Sequence, residues 1–330
     1  MKKHFFAVFL LSFLTLVFSC NDKDKTVTLV MAELNPDGSI SAQMDEFFVQ
    51  KVDELSNGKI KIQLHTAGIL GDNVSVLKIL TQPNGEIHLA RVSPAALVEY
   101  GCPNHQLLDV PFTFSNHNHF WNFSNSSLAE KILDEPYKNN VGVKGLFFGE
   151  EGFRHFFSTK PLLSIEDFAG KKLRTAGTEV VSGIARSLGS EPVQVNFSTL
   201  YSALQTGIAD IAEQPIANYY SNHFNKVAPY MILDGHQMGI MEVVISSQVW
   251  DSLSEQNQGI LLQAGKLASE FCNKITQENE HNSRELLEGE GVQFTEVADI
   301  SAWQKACANL INSIVDTNTQ LYGEIITLAD

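Results

Sequence analysis

The chain has 330 residues, 44 % hydrophobic and 18 % charged, with 38 acidic against 23 basic side chains and a formal charge of −15. That length exceeds what one ordinary core fills, so two domains are expected, and the composition excludes a disordered or fibrous chain. The acidic balance excludes nucleic acid and anionic lipid as partners of the surface as a whole, because both require a basic footprint.

Lys2 and Lys3 precede the run "FFAVFLLSFLTLVFSC", too short and too N-terminal for a membrane span, and residues 1–19 read as an export signal. Its removal takes two lysines from −15 and leaves −17. The segment ends in Val17-Phe18-Ser19-Cys20, which resembles the lipobox of bacterial lipoproteins; Phe18 is bulkier than that pattern usually carries. The resemblance implies lipid on Cys20 and a protein held to a membrane outside the cytoplasm. Cys102, Cys272 and Cys307 are too few and too widely spaced for a disulfide framework or a zinc site, and read as buried thiols with at most one bridge.

After a polar tether, "TVTLVMAEL" predicts a first strand. In "SAQMDEFFVQKVDELSNGK", Met44, Phe47, Phe48, Val52 and Leu55 recur at helical spacing and Asn57-Gly58 marks the stop. "KIKIQLH" alternates as a half-buried strand, "GILGDN" turns into another helix, and "GEIHLARVS" predicts the next strand. The rhythm resumes at "GVKGLFFGEEGFR", "GKKLRTAG", the helix "TEVVSGIARSLGS", the strand "EPVQVNF", the helix "STLYSALQTG" and the strand "IADIAEQ". Alternating strands and helices predict α/β lobes with parallel pairing, each lobe with its own sheet. From Ser254 to about Leu287 the chain reads as one helix long enough to lie across both lobes. The expected division is 27–151 plus 240–279 against 152–239 plus 280–330, with a ligand crevice at the strand C-terminal ends between them.

No GxSxG elbow, GxxxxGK[ST] loop or HExxH helix is present, which leaves no catalytic or metal residue to nominate by motif and no cofactor to expect. His117 and His119 of "NHNHF" read as a solvated turn. Glu150 and Glu151 read as a charged strand end facing water. The competing enzyme reading makes those two the acid and base of an exported carbohydrate hydrolase. The basic residues suggest a binder instead. Arg174 stands near the C-terminal end of a strand, Arg154 at a comparable point of the same lobe, and Arg91 ends a strand of the other, while Phe197 and Gln214 end two more. Arginines converging on a crevice in an acidic chain suggest an anionic ligand, and three of them facing one another would repel until an anion arrived.

At these residues the sequence resembles the substrate-binding proteins of tripartite ATP-independent periplasmic (TRAP) transporters, over about residues 27 to 320. The carrying segments are the "NP" loop, "SNGKIKI" leading to "GILGD", "FRHFFSTKPLLSIEDFAGKKLRT", "FSTLYSALQTGIAD", "EQP" and "VVISSQVWDSL". The resemblance implies a two-lobed periplasmic-binding-protein-like fold with a long interdomain helix. It also implies that Arg174 clamps the ligand carboxylate, that Arg154 is a second basic contact and that the Phe197 ring packs on the ligand. Gln214 stands where the family more often has asparagine. Glu33 and Asn73 fall on ligand-side loops, and Arg91 with Ser93 on the strand that varies most with substrate class. Gly71, Gly170 and Trp250 read as turn and core.

The expected protein is a lipid-anchored, extracytoplasmic solute-binding protein without catalysis, which hands a small organic acid to the permease subunits of such a transporter. A hexuronate or related sugar acid is favoured by the surplus of donors and acceptors, with a C4-dicarboxylate or 2-oxo acid as the alternative.

Overall fold

The computed structural model describes residues 26–329; the expected export signal and Cys20 lie outside them. Strand β1 (Val27–Ala32) pairs in parallel with β2 (Ile60–His65) and with β3 (Leu89–Val92). The helix Ile40–Leu55 connects the first pair: the Ser39 hydroxyl accepts the N–H of Ala42 at its start, and Ile40, Met44, Phe48 and Val52, four apart, form its buried stripe. Asp72 caps the helix Asn73–Leu80 in the same way, accepting from Ser75 at 2.9 Å. These elements make the first lobe.

Strand β4 (Val143–Ser158) leads to the second lobe, where β5 (Lys172–Thr175) pairs in parallel with β6 (Glu191–Gln194) and β7 (Ile211–Pro215). The chain returns along β8 (Tyr230–Ser246), and β9 (Gln293–Glu296) adds to its start. Two separate parallel sheets were expected, but the strands form one sheet in the order β2-β1-β3-β8-β4-β7-β5-β6, with β9 on β8. Its centre is antiparallel: β4 and β8 pair from Val143 opposite Ser246 to Ser158 opposite Tyr230. Each of these strands is about 50 Å long and runs through both lobes, so the chain crosses between lobes, near residues 150 and 240, within one continuous ladder.

That ladder breaks register three times, between Gly145 and Phe147, between Glu150 and Phe153 and between Arg154 and Phe156. Gly152 (φ 93°) lies in the second break and Gly235 (φ 55°) faces the third, both in the left-handed region that glycine tolerates. The bulges divide the shared strands between the lobes. Beside them lies the long helix, Glu255–Gly289, 35 residues with Ser254 as its cap. It stacks Phe271 on Phe47 at 4.4 Å in the first lobe, bonds the β4 carbonyls of Phe148 and Glu150 through Ser269 and Thr276, and buries Leu287 in the core of the second lobe.

Two further expectations fail. Glu150 and Glu151 do not end a strand facing water; they lie mid-strand in β4, 0 % and 4 % exposed, because β4 continues through the bulge at Gly152. His117 and His119 do not sit on a solvated turn. Asn116 caps a helix there, His117–Ser124, and accepts the N–H of His119. Glu150 accepts hydrogen bonds from the indole of Trp121 at 2.8 Å and pairs with His117 Nδ1 at 2.7 Å, so it is committed to the core. Cys102, Cys272 and Cys307 are buried free thiols.

Candidate ligand-binding cleft

Between the lobes lies a cavity of about 120 Å³, room for roughly ten waters or one small organic molecule. It collects most of the residues singled out in the sequence. Asn73, Arg91 and Ser93 line it from the first lobe, and Arg154, Arg174, Phe197 and Gln214 from the second and from β4. Parallel strands deliver their C-terminal ends to one crevice, which is why Arg91 at the end of β3, Arg174 at the end of β5 and Gln214 at the end of β7 meet there. The Phe197 ring is fixed edge-on against Phe224.

The three arginines do not face one another as free charges, contrary to the expectation of mutual repulsion. Arg91 donates from Nε and one Nη to the two oxygens of Glu33, at 2.7 and 2.5 Å. Glu33 therefore stands behind Arg91 and is not among the residues lining the cavity. It also accepts the N–H of Asn35 and the hydroxyl of Ser41. Burial would raise its pKa, yet the paired guanidinium holds it below the ordinary value. Burial, together with the Glu33 carboxylate, pushes neighbouring Asp45 well above its usual range. Arg154 is likewise engaged by Glu213 through Nε, with a further bond from Nη to the Glu213 carbonyl at 3.3 Å.

Arg174 differs. It is 4 % exposed, its one hydrogen bond among the described residues runs from Nε to the Val195 carbonyl at 3.0 Å, and no carboxylate pairs with it there. Burial drives its pKa down to about 10, with Arg154 adding to the fall and Glu213 opposing it. A buried guanidinium with its Nη groups uncommitted is a site for an incoming anion.

The rest of the lining is acceptor-rich, and the sequence reading placed none of these groups on the ligand cavity. Glu151 accepts from Asn35 Nδ2 at 3.0 Å, and the side-chain oxygens of Asn35 and Asn218 are buried without a donor. Burial raises the Asp109 carboxyl to about 6, Arg154 opposing and Glu213 reinforcing. Signals existed for Asn35, which belongs to the "NP" loop, and for Glu213, which also lines the cavity and precedes Gln214 in "EQP". Nothing local marks Asp109 or Asn218 as pocket residues.

Residues 31–318 match the family described as Bacterial extracellular solute-binding protein, family 7. Among curated relatives, the sialic acid-binding periplasmic protein SiaP of Vibrio cholerae is 26 % identical over 81 % of this chain and 82 % of its own length. The C4-dicarboxylate-binding protein DctB of Bacillus subtilis is also 26 % identical, over 82 % of this chain and 75 % of its own. Among solved structures, a TRAP periplasmic solute-binding protein from Pseudomonas putida F1 with bound D-glucuronate superposes with a TM-score of 0.87 at 24 % identity, covering 91 % of this chain and 96 % of that one. One from Bradyrhizobium sp. in complex with α/β-D-galacturonate gives 0.86 at 25 %, covering 91 % and 99 %.

Proposed function

We propose that this chain, which belongs to the bacterial extracellular solute-binding proteins of family 7, serves a TRAP transporter and captures a polyhydroxylated monocarboxylic acid of the hexuronate type between its lobes. The lobes are 27–151 plus 240–279 and 152–239 plus 280–330. The ligand contacts are Arg174 as carboxylate clamp, Phe197 as stacking ring, and Asn73, Arg91, Ser93, Arg154 and Gln214 as polar contacts, with Glu33 acting through Arg91. The binder performs no chemistry and passes its ligand to the permease subunits.

One observation carries the choice of ligand: of three guanidinium groups on the cavity, only Arg174 lacks an internal carboxylate partner. One carboxylate satisfies it. A second would meet arginines already neutralised and the acids Glu151 and Asp109, which favours a monoacid over a C4-dicarboxylate. Those acids and the donor-less oxygens of Asn35 and Asn218 accept hydrogen bonds, which hydroxyl groups provide and a bare dicarboxylate or 2-oxo acid does not. The glucuronate and galacturonate complexes among the structural neighbours support the same class. A thermal-shift screen of organic acids tests the reading, since a ligand at 100 times its Kd stabilises the fold by about 2.7 kcal/mol. Uronates or aldonates should head the screen; a screen headed by succinate or a 2-oxo acid overturns it.

Affinity should depend on pH through Asp109. Its carboxyl titrates near 6 in the free protein, and a bound anion raises that value, so binding takes up protons. Between pH 8 and pH 5 the ligand stays ionised while Asp109 loses its charge, and affinity is expected to rise about three- to tenfold. Asp109→Asn should flatten the profile. Calorimetry at several pH values reads both, and tighter binding at pH 8 than at pH 5 contradicts the assignment.

Lipid on Cys20, after removal of the export signal, is proposed as the membrane tether on the strength of the Val17-Phe18-Ser19-Cys20 pattern alone. Cys20→Ala is expected to move the protein from the membrane to the soluble fraction. A wild type already found in the soluble extract shows that no anchor is used.

A further inference from the structure

One acid behind the cavity has no counter-group of the usual kind. Asp45 lies on the helix Ile40–Leu55 and is 0 % exposed, and no amide, hydroxyl or cation among the described residues bonds either of its oxygens. The side chain within its hydrogen-bonding reach is another acid, Glu33. We propose that Asp45 is a positioning residue of the ligand cavity: it keeps its proton at neutral pH, donates it to Glu33, and through Glu33 holds Arg91 ready for the ligand.

The first argument is geometric. Ser41 and Asp45 stand one turn apart on the same face of their helix, and Ser41 already gives its hydroxyl to Oε1 of Glu33 at 3.1 Å. That oxygen also accepts the N–H of Asn35 and one Nη of Arg91, whereas Oε2 accepts only Nε of Arg91, at 2.7 Å. A lone pair of Oε2 is left over. A protonated Asp45 fills it and gains a partner of its own; an ionised Asp45 would leave a buried charge with no donor at all.

The second argument is charge. The charged groups facing Asp45 are Glu33, Arg91 and Glu151. Two carboxylates in contact away from water do not both stay ionised when one cation serves them. Arg91 commits Nε and one Nη to Glu33, which keeps Glu33 ionised and leaves the proton with Asp45; burial and the Glu33 carboxylate raise the Asp45 pKa in the same sense. The N–H groups that Arg91 does not spend on Glu33 remain for the cavity it lines, while Asp45 itself does not line it. With the proton in place Glu33 and Arg91 cancel. Without it a further negative charge would stand behind the arginine and oppose an incoming anion.

The link to capture rests on the sugar-acid reading, but the proton does not, and the test separates them. At pH 8 the infrared spectrum of the mature wild-type chain should carry the carbonyl band of a protonated carboxyl that Asp45→Asn lacks. An acid that is neutral when folded and ionised when unfolded costs stability as pH rises above its unfolded value of about 4. Asp45→Asn escapes that cost, so in urea unfolding its folding constant should gain on the wild type by up to about tenfold per pH unit between pH 5 and pH 8. In calorimetry with glucuronate, Asp45→Leu, which has no donor for Glu33, should bind about three- to tenfold more weakly, and Asp45→Asn, whose amide donates in place of the proton, should recover most of that loss. Where Asp45→Leu does not fold, the wild type and Asp45→Asn carry the test. A wild type without the band, a band surviving in Asp45→Asn, or a stability gap that does not change with pH overturns the protonated acid. Wild-type affinity in Asp45→Leu overturns the positioning role. A wild type that binds no glucuronate overturns the sugar-acid reading instead, and the band and the pH-dependent gap still decide the proton.

Discussion

Replacing Arg174 by alanine should lower affinity for the captured acid by two to three decades, about 3 to 5 kcal/mol, because the ligand carboxylate is then buried without a partner. Arg174→Lys should keep the fold and still lose at least tenfold, since an ammonium carries the charge without the planar fork that meets both carboxylate oxygens. A counterpart in stability separates this role from a structural one. Arg174 is buried with one hydrogen bond to a carbonyl and no carboxylate beside it, a cost that the free protein carries until the anion arrives. Arg174→Met removes that charge at similar volume, so it should abolish binding while raising the Tm of the free protein by about 1.5 °C for each kcal/mol relieved. Calorimetry and thermal unfolding on the same preparations read both. A destabilised, ligand-competent Arg174→Met would show that the arginine holds the fold and not the ligand.

Glu213→Gln should have the next largest effect, and in the opposite sense on ligand choice. Glu213 is 2 % exposed and neutralises Arg154, so removing its charge leaves a second unpaired guanidinium on the cavity. Breaking a buried pair in this way typically costs 3 to 5 kcal/mol of stability, and the variant should unfold at a markedly lower temperature. A second carboxylate on the ligand can then supply the missing partner. Dicarboxylates are expected to gain at least tenfold in affinity and to restore part of the lost Tm, whereas uronates should change little. A wild-type ranking of acids in the folded variant would mean that Arg154 does not face the ligand.

Much of this site was legible because it rests on local patterns. "GKKLRT" is a turn followed by a strand, so Arg174 had to stand near a strand's C-terminal end, and "EQP" places Gln214 the same way. The charge state of the site was not legible. Arg91 pairs with Glu33 across 58 positions and Arg154 with Glu213 across 59, separations that no periodicity encodes, and without those partners three arginines look like three free charges. The single sheet was hidden for a similar reason. "GEEGF" interrupts an apolar run with two acids and two glycines, which reads as a strand end, whereas Gly152 supplies the left-handed turn of a bulge and β4 continues beyond it. Glu150 then finds its donors in Trp121 and His117, on a helix whose cap, Asn116, was the overlooked start signal in "SNHNHF". The two C-terminal helices, Ser301–Val315 and Thr319–Ile326, lie beyond the predicted end of the long helix at about Leu287 and were not predicted.

The most direct measurement is a calorimetric titration of the mature wild-type chain with glucuronate, with glucarate, which carries a second carboxylate on the same hydroxylated chain, and with succinate. A cavity holding one uncompensated guanidinium should bind glucuronate at least tenfold more tightly than glucarate and should bind succinate weakly or not at all. Equal or tighter binding of glucarate or succinate would contradict a site built around the single charge of Arg174.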